Sequence, residues 1–137
     1  PQLGPVDCCV NVNVAALYAL AGRTMHRGYE AMCATVSAGI RATMASTEHL
    51  RRLTPYYVHA LELLYAVRRA VQLGAAALTG PLTQLEAQPW AIEDSLPGWE
   101  PYRPICCNAH RRPRWTAPTL QAARRLAAGA GAGAEMG

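Results

Sequence analysis

The sequence predicts an all-α protein built from antiparallel helical hairpins. Of its 137 residues, 51% are hydrophobic, and most of these are Ala, Leu and Val, with no Phe. Such small side chains suit helices that approach closely, and apolar residues recur at spacings of three and four in several segments. No segment alternates between apolar and polar residues as a half-buried strand does, so no strand is predicted.

The first helix is predicted to begin near Cys9 and to end at Ala21. Asp7 precedes it as an N-cap, because its carboxylate can accept hydrogen bonds from the unpaired amides of the first turn. Gly22 follows it in the manner of a C-terminal glycine. The apolar face predicted to enter the core consists of Val10, Val14, Leu17 and Ala21.

Three further helices are predicted by the same periodicity. The second spans residues 25–45, and its apolar side chains are Tyr29, Met32, Cys33, Val36, Ile40 and Met44. The third begins at Thr54 and Pro55 and ends before Gly74, and its broad apolar arc, which predicts burial on more than one side, is Ala60, Leu61, Leu64, Tyr65, Val67 and Val71. A shorter fourth helix around Gly80 carries Leu78, Leu82 and Leu85.

The segment from 89 to 113 differs in character. It contains five prolines and lacks helical periodicity, so we expect an extended Pro-rich arm packed on the helices. A last helix is predicted from Trp115 to about residue 128, and the Gly/Ala-rich tail 129–137 is expected to fray. Residues 1–128 are therefore interpreted as one domain that includes the arm.

Charge and cysteine content narrow the classes of function. The net charge of +4 comes from 13 arginines without a lysine, and these are scattered in pairs, which does not favour nucleic-acid binding. Five cysteines are an odd number, which is typical of a reducing, cytoplasmic setting. No apolar stretch reaches the length of a membrane span.

Three pairs of segments resemble bacterial squalene-cyclase-like proteins of the terpene cyclase and protein prenyltransferase superfamily. They are VDCCVNVNV (6–14) with LYAL (17–20), Tyr56-Tyr57 with LYAVRRA (64–70), and WEPY (99–102) with RPRWTAP (112–118). The resemblance implies an α/α toroid whose inner helices line a cavity for an isoprenoid chain. This chain has the length of about half a toroid, which implies a homo-oligomer or a missing second half that covers the exposed cavity wall.

The resemblance also implies a zinc site. Protein prenyltransferases bind zinc through an Asp-x-Cys pair and a later His, which here correspond to Asp7, Cys9 and His59. Zinc would then hold a substrate thiolate as the nucleophile. The alternative is that Asp7 is only a helix cap, Cys9 a small core residue and His59 a half-exposed helical residue.

Cyclase chemistry would need a strong acid. Asp7 is the candidate catalytic residue, but it lacks the neighbouring aspartates that make such an acid strong, so the sequence leaves catalysis open. Aromatic faces can stabilise cationic isoprenoids, and the candidate ligand-binding residues are Tyr18, Tyr56, Tyr57, Tyr65 and Trp115. Core packing explains these residues equally well.

Two other interpretations remain open. The chain could be a non-enzymatic helical subunit of a larger assembly, in which the Pro-rich arm and the arginine pairs contact partners. Cys106 and His110 have the spacing of half a zinc site, which Cys8, Cys9 and Cys33 could complete if the fold brings the two ends of the chain together.

Overall fold

The fold is mainly helical, as predicted. A computed structural model describes residues 7–43, 52–57, 60–89, 91, 104–107, 114–120, 122, 123 and 126. Its elements are α1 (Cys8–Leu20), α2 (Arg27–Thr43), α3 (Leu61–Gln72), a 3-10 helix (Ala76–Leu78), α4 (Thr79–Glu86), β1 (Pro104–Cys107) and β2 (Arg114–Thr116). Residues 118–120, 122, 123 and 126 are also helical. The tail 129–137 and most of the Pro-rich arm lie outside the described residues.

The ends of α1 and α3 follow from local sequence. The Asp7 Oδ1 atom accepts a hydrogen bond from the Val10 amide at 3.0 Å, which confirms Asp7 as the N-cap of α1. Gly22 and Gly74 have φ angles of 68° and 98°, a backbone conformation that side chains disfavour. The amide after each glycine donates a hydrogen bond to the carbonyl five residues earlier. Arg23 donates to Tyr18, and Ala75 donates to Ala70. Both predicted glycine stops are therefore confirmed.

Helix α1 lies between α2 and α3. It is antiparallel to α2, because the start of α1 lies beside the end of α2 and the reverse. A Cβ atom placed on Gly39 would lie 3.7 Å from the Cys8 sulfur, and one placed on Gly28 would lie 3.3 Å from the Tyr18 hydroxyl. It is parallel to α3, because Arg69 donates to the Asn13 side chain, and Gly74 lies beside Ala19. Helix α4 packs against both α2 and α3, so the four helices enclose one core.

The predicted buried faces of α2, α3 and α4 are confirmed for most of their residues. The exceptions are Met32, Tyr65, Val71 and Leu82, which are only partly buried, and Met44, which lies outside the described residues. In α2, Tyr29, Cys33, Val36 and Ile40 are buried, at the predicted spacing. In α3, four consecutive residues from Leu61 to Leu64 are buried, because α1 and α4 cover different sides of this helix. Within the described residues, no helix is long and apolar enough to cross a membrane.

The face of α1 that enters the core was predicted wrongly. The buried residues are Cys8, Cys9, Val12, Ala15 and Ala16. By contrast, Val10 is 51% exposed and Leu17 is 63% exposed. Helix α1 has no charged residue, so periodicity offers two apolar faces. The core takes the face with the smaller side chains, because Ala and Cys allow α2 and α3 to approach closely on either side.

The starts of two helices and the presence of two strands also differ from the prediction. Helix α3 begins at Leu61 rather than Thr54, because residues 54–57 form a turn and pair with β1. Strands β1 and β2, where no strand was predicted, form an antiparallel pair in which Cys106 faces Trp115. Residues 115 and 116 are therefore strand, and the last helical residues begin at Pro118. Strands of four and three residues are too short for alternation to reveal them, and their pairing depends on distant residues.

Candidate functional site

The start of α1 and strand β1 meet on the segment Leu53–Tyr57. The Cys8 amide donates to the Leu53 carbonyl at 2.7 Å, which fixes the first turn of α1 on this segment. The Cys107 amide donates to the Tyr56 carbonyl at 2.8 Å, and Tyr57 forms an antiparallel bridge with Cys106. The fold therefore brings together residues near position 8 and residues near position 106.

Asp7 is a buried carboxylate at the start of α1. Its side chain is only 7% exposed, and while Oδ1 caps the helix, Oδ2 has no hydrogen-bond partner within the described part of the chain. The hydroxyl of the fully buried Thr54, one residue after Leu53, also lacks a partner there. Buried oxygens without partners are rare in native proteins, so this region has a capacity for hydrogen bonding that its own side chains leave unused.

Tyr57 lies among several acidic and thiol groups. Burial raises the pKa of the Tyr57 hydroxyl, and the nearby Cys9, Asp7, Glu62 and Cys106 raise it further, because each of these groups would repel a phenolate when it is itself ionised. Tyr57 therefore stays neutral and can donate a hydrogen bond. Glu62, at the start of α3, is 4% exposed and was not singled out in the sequence. A lone Glu at the start of a helix is common on surfaces, so no local signal distinguishes it.

The cysteines at this site are thiols, and the environment of Cys8 disfavours its thiolate. All five cysteines of the chain are reduced in the structure. Burial, with a smaller contribution from the Asp7 carboxylate, raises the pKa of Cys8 to about 11. Because the thiolate is the reactive form, Cys8 is a core residue with little reactivity at neutral pH.

Two of the three predicted zinc ligands lie close together. Asp7 and Cys9 lie two residues apart at the start of α1, and both are near enough to the Tyr57 hydroxyl to raise its pKa, whereas His59 lies outside the described residues. Within the part of the chain that the structure describes, no group of three or more His, Cys, Asp or Glu side chains has the arrangement of a metal site. Zinc binding by Asp7, Cys9 and His59 stays a prediction.

The predicted aromatic ligand-binding residues do not gather at one place. Tyr57 and Trp115 flank Cys106 on opposite sides, and the exposed Tyr56 adjoins them. Tyr18 lies at the other end of α1, about 13 Å along the helix from Cys9, where its ring packs on His26 with centroids 5.0 Å apart. Tyr65 is partly buried against the core from α3. These residues therefore lie in three separate places and do not line one site.

An exposed apolar surface on α1 is the feature that sequence reasoning misplaced in the core. This surface, the α1 outer face, consists of the partly buried Val14 and the exposed Val10, Leu17, Leu20 and Ala21; all but Leu20 were predicted to be buried. Three of its large side chains, Val10, Leu17 and Leu20, are between 51% and 66% exposed. Contiguous apolar side chains on a helix surface are a common mark of a binding site.

Comparisons with protein-family models, with curated proteins and with solved structures found no match. The resemblance to terpene cyclases and prenyltransferases therefore stays a prediction.

The capping role of Asp7 can be tested by substitution. We expect Asp7→Ala to lower the free energy of unfolding by about 1 kcal/mol, because the Val10 amide loses its acceptor. Asp7→Asn keeps an oxygen in the same position and is expected to stay closer to the wild type. Urea denaturation followed by circular dichroism measures both. An Asp7→Ala variant as stable as the wild type would show that the cap does not stabilise α1.

Proposed function

We propose that this chain is a helical binding protein whose α1 outer face receives an apolar, isoprenoid-type ligand. The observation that carries the proposal is the exposure of Val10, Leu17 and Leu20 on a helix without any charged residue. Burying such side chains against a hydrocarbon chain is favourable by about 25 cal/mol per Å² of apolar surface. A hydrocarbon ligand suits this face because α1 has no charged side chain that would lose its water when the ligand binds.

The resemblance to the terpene cyclase and prenyltransferase superfamily is what favours an isoprenoid over another apolar ligand. Helices α1 and α3 run side by side in the same direction. Helix α2, which lies between them in the sequence, runs antiparallel to α1. The resemblance to the terpene cyclase and prenyltransferase superfamily implies inner helices that line an isoprenoid cavity, and a parallel pair is compatible with that role. The odd number of cysteines supports a reducing, cytoplasmic setting.

The proposal covers binding and leaves out catalysis. Asp7, the candidate acid, uses one carboxylate oxygen to cap α1. Asp7 is only 7% exposed, so it is not part of the exposed α1 outer face. Prenyl transfer through zinc at Asp7, Cys9 and His59 would be a separate activity, and it stays a weaker alternative that metal analysis of the purified protein can address.

Thermal-shift measurements test the binding proposal. A ligand that binds only the folded state stabilises it, by about 2.7 kcal/mol at a hundredfold excess over the dissociation constant. We therefore expect farnesyl or geranylgeranyl diphosphate to raise the Tm of the wild type by several degrees. Leu17→Gln should abolish most of this shift, because Leu17 is 63% exposed at the centre of the α1 outer face.

Leu120→Gln is the matched control, since Leu120 is also exposed but lies after β2. Its ligand-induced shift should equal that of the wild type. Inorganic diphosphate alone should have no effect, because the proposed contact is with the hydrocarbon chain. A wild-type Tm that does not respond to either prenyl diphosphate would contradict the proposal.

The second candidate is a non-enzymatic subunit that uses the same face to bind another helix, including that of a second copy. Val10, Val14, Leu17 and Ala21 are separated by four, three and four positions, which is the spacing of a coiled-coil seam. Sedimentation of the wild type over a range of concentrations tests this candidate. Association that Leu17→Gln abolishes, in a protein whose Tm ignores prenyl diphosphates, would favour it over the ligand-binding proposal.

A further inference from the structure

Three helix ends meet at the end of the molecule opposite Asp7. Helix α1 is antiparallel to α2 and parallel to α3, so the end of α1 lies with the start of α2 and the end of α3. A Cβ atom placed on Gly74 would lie 3.9 Å from that of Ala19, which shows how closely α1 and α3 approach here. The loop from α1 to α2 folds over this end, because the Arg23 amide donates to the Tyr18 carbonyl at 2.8 Å.

An apolar side chain is exposed on each of three segments at this end. Leu20, the last residue of α1, is 66% exposed, and Met25 in the loop is 87% exposed. Leu73, which follows α3, is 39% exposed. Burial of such side chains in the core would be favourable, so their exposure does not serve the stability of the chain. They are available to a partner outside it.

Two arginines accompany these apolar side chains. Arg23 lies two residues before Met25, Arg27 is the first residue of α2, and both are exposed. Within the described part of the chain, neither guanidinium is paired with a carboxylate. The sequence has a single acidic residue between positions 8 and 47, which is Glu30. The loop and the start of α2 therefore carry a net positive charge.

The position of Arg27 is unfavourable for α2 itself. The start of a helix carries a partial positive charge, so a carboxylate is preferred in the first turn and a cation is disfavoured. Glu30 meets this preference, whereas Arg27 opposes it. The charge of Arg27 therefore gains nothing from the helix dipole, and it is available to an anionic group outside the chain.

We propose that this end of the molecule attaches to an anionic lipid surface. This membrane-binding end consists of Leu20, Arg23, Met25, Arg27 and Leu73. Its apolar side chains enter the boundary between headgroups and acyl chains, while its arginines contact the anionic headgroups. A membrane needs no matching pockets for side chains that project separately, so it suits this end better than a folded protein does. Met25 and both arginines lie outside the α1 outer face, so the proposal stands apart from isoprenoid binding.

Flotation with lipid vesicles tests this proposal. We expect the wild type to float with vesicles made of equal parts of phosphatidylcholine and phosphatidylserine, and to stay unbound with phosphatidylcholine alone. Met25→Gln and Arg23→Gln should each lower the bound fraction several-fold, because one removes an inserted side chain and the other a contact with an anionic headgroup. Both residues are exposed, so both variants should fold, which circular dichroism checks.

Leu120→Gln and Arg52→Gln are the matched controls. Leu120 is an exposed leucine after β2, and Arg52 is an exposed arginine next to Leu53, which is bonded to the opposite end of α1. Both control variants should float as the wild type does. Because Met25 lies outside the α1 outer face, Met25→Gln should leave any thermal shift with prenyl diphosphates unchanged, so the two proposals can fail separately.

Oxidation of methionine gives a second measurement, which needs no substitution. Hydrogen peroxide converts accessible methionine to its sulfoxide. Trypsin places Met25 in the peptide of residues 24–27, and it places the partly buried Met32 in the peptide of residues 28–41. Vesicles that contain phosphatidylserine should slow the oxidation of Met25 several-fold and leave that of Met32 unchanged, as measured by mass spectrometry.

Several results would overturn the proposal. A wild type that does not float with the anionic vesicles would leave this end of the molecule to a protein partner. Full binding by Met25→Gln would show that the apolar side chain does not insert. A loss of binding in Arg52→Gln equal to that in Arg23→Gln would show that only the overall charge matters. Oxidation of Met25 at the same rate with and without vesicles would place the membrane contact elsewhere.

Discussion

Val12→Asp should unfold this protein or lower its free energy of unfolding by more than about 3 kcal/mol. Val12 is fully buried on the face of α1 that packs between α2 and α3. A carboxylate there would have to be desolvated or protonated, and either change is costly compared with a total stability of about 5–15 kcal/mol. Urea denaturation monitored by circular dichroism measures the loss.

Val10→Asp is the matched control, because it makes the same change two positions away on the same helix. Val10 is 51% exposed, so its carboxylate would remain hydrated, and stability should change by no more than about 0.5 kcal/mol. The same variant should weaken ligand binding or self-association at the α1 outer face. If Val10→Asp unfolded the protein and Val12→Asp did not, the orientation of α1 described above would be reversed.

Leu64→Ala should cost about 2–5 kcal/mol, the second large effect that we expect. Leu64 is almost completely buried in α3, the helix that packs against both α1 and α4. Its truncation leaves a cavity between helices that cannot collapse without moving one of them. The loss is again measured by urea denaturation.

Leu20→Ala serves as the comparison for this truncation. It removes the same atoms from a side chain that is 66% exposed at the end of α1, so stability should change by about 0.5 kcal/mol at most. Similar losses for Leu64→Ala and Leu20→Ala would show that the core is not arranged as described.

Helix α1 has two faces with different roles. One face, centred on Val12, supplies packing energy to the fold. The other, centred on Leu17, contributes little to the stability of the chain and is available to a ligand or a partner. Substitutions on the outer face should therefore change binding while leaving the fold intact, which makes the proposed function testable without loss of structure.

The candidate site illustrates the limit of local sequence signals. The capping role of Asp7 was predicted because it depends on the next three residues of the same helix. The burial of Glu62 and the position of Cys106 beside Tyr57 were not predicted, because both depend on residues from distant parts of the chain. Zinc binding by Asp7, Cys9 and His59 stays a prediction, and the proximity of Asp7 and Cys9 to Tyr57 was not predicted.

Local sequence was enough to predict the cap of the first helix, the helix ends at Gly22 and Gly74, and the buried face of α2. These features depend on backbone chemistry and on a clear contrast between apolar and polar positions. The buried face of the uncharged α1, and the pairing of β1 with the turn before α3, depend on contacts between distant parts of the chain. When a helix has two apolar faces and no charge, the shape and closeness of its neighbours set its orientation. A short strand forms only where a distant segment supplies its hydrogen bonds.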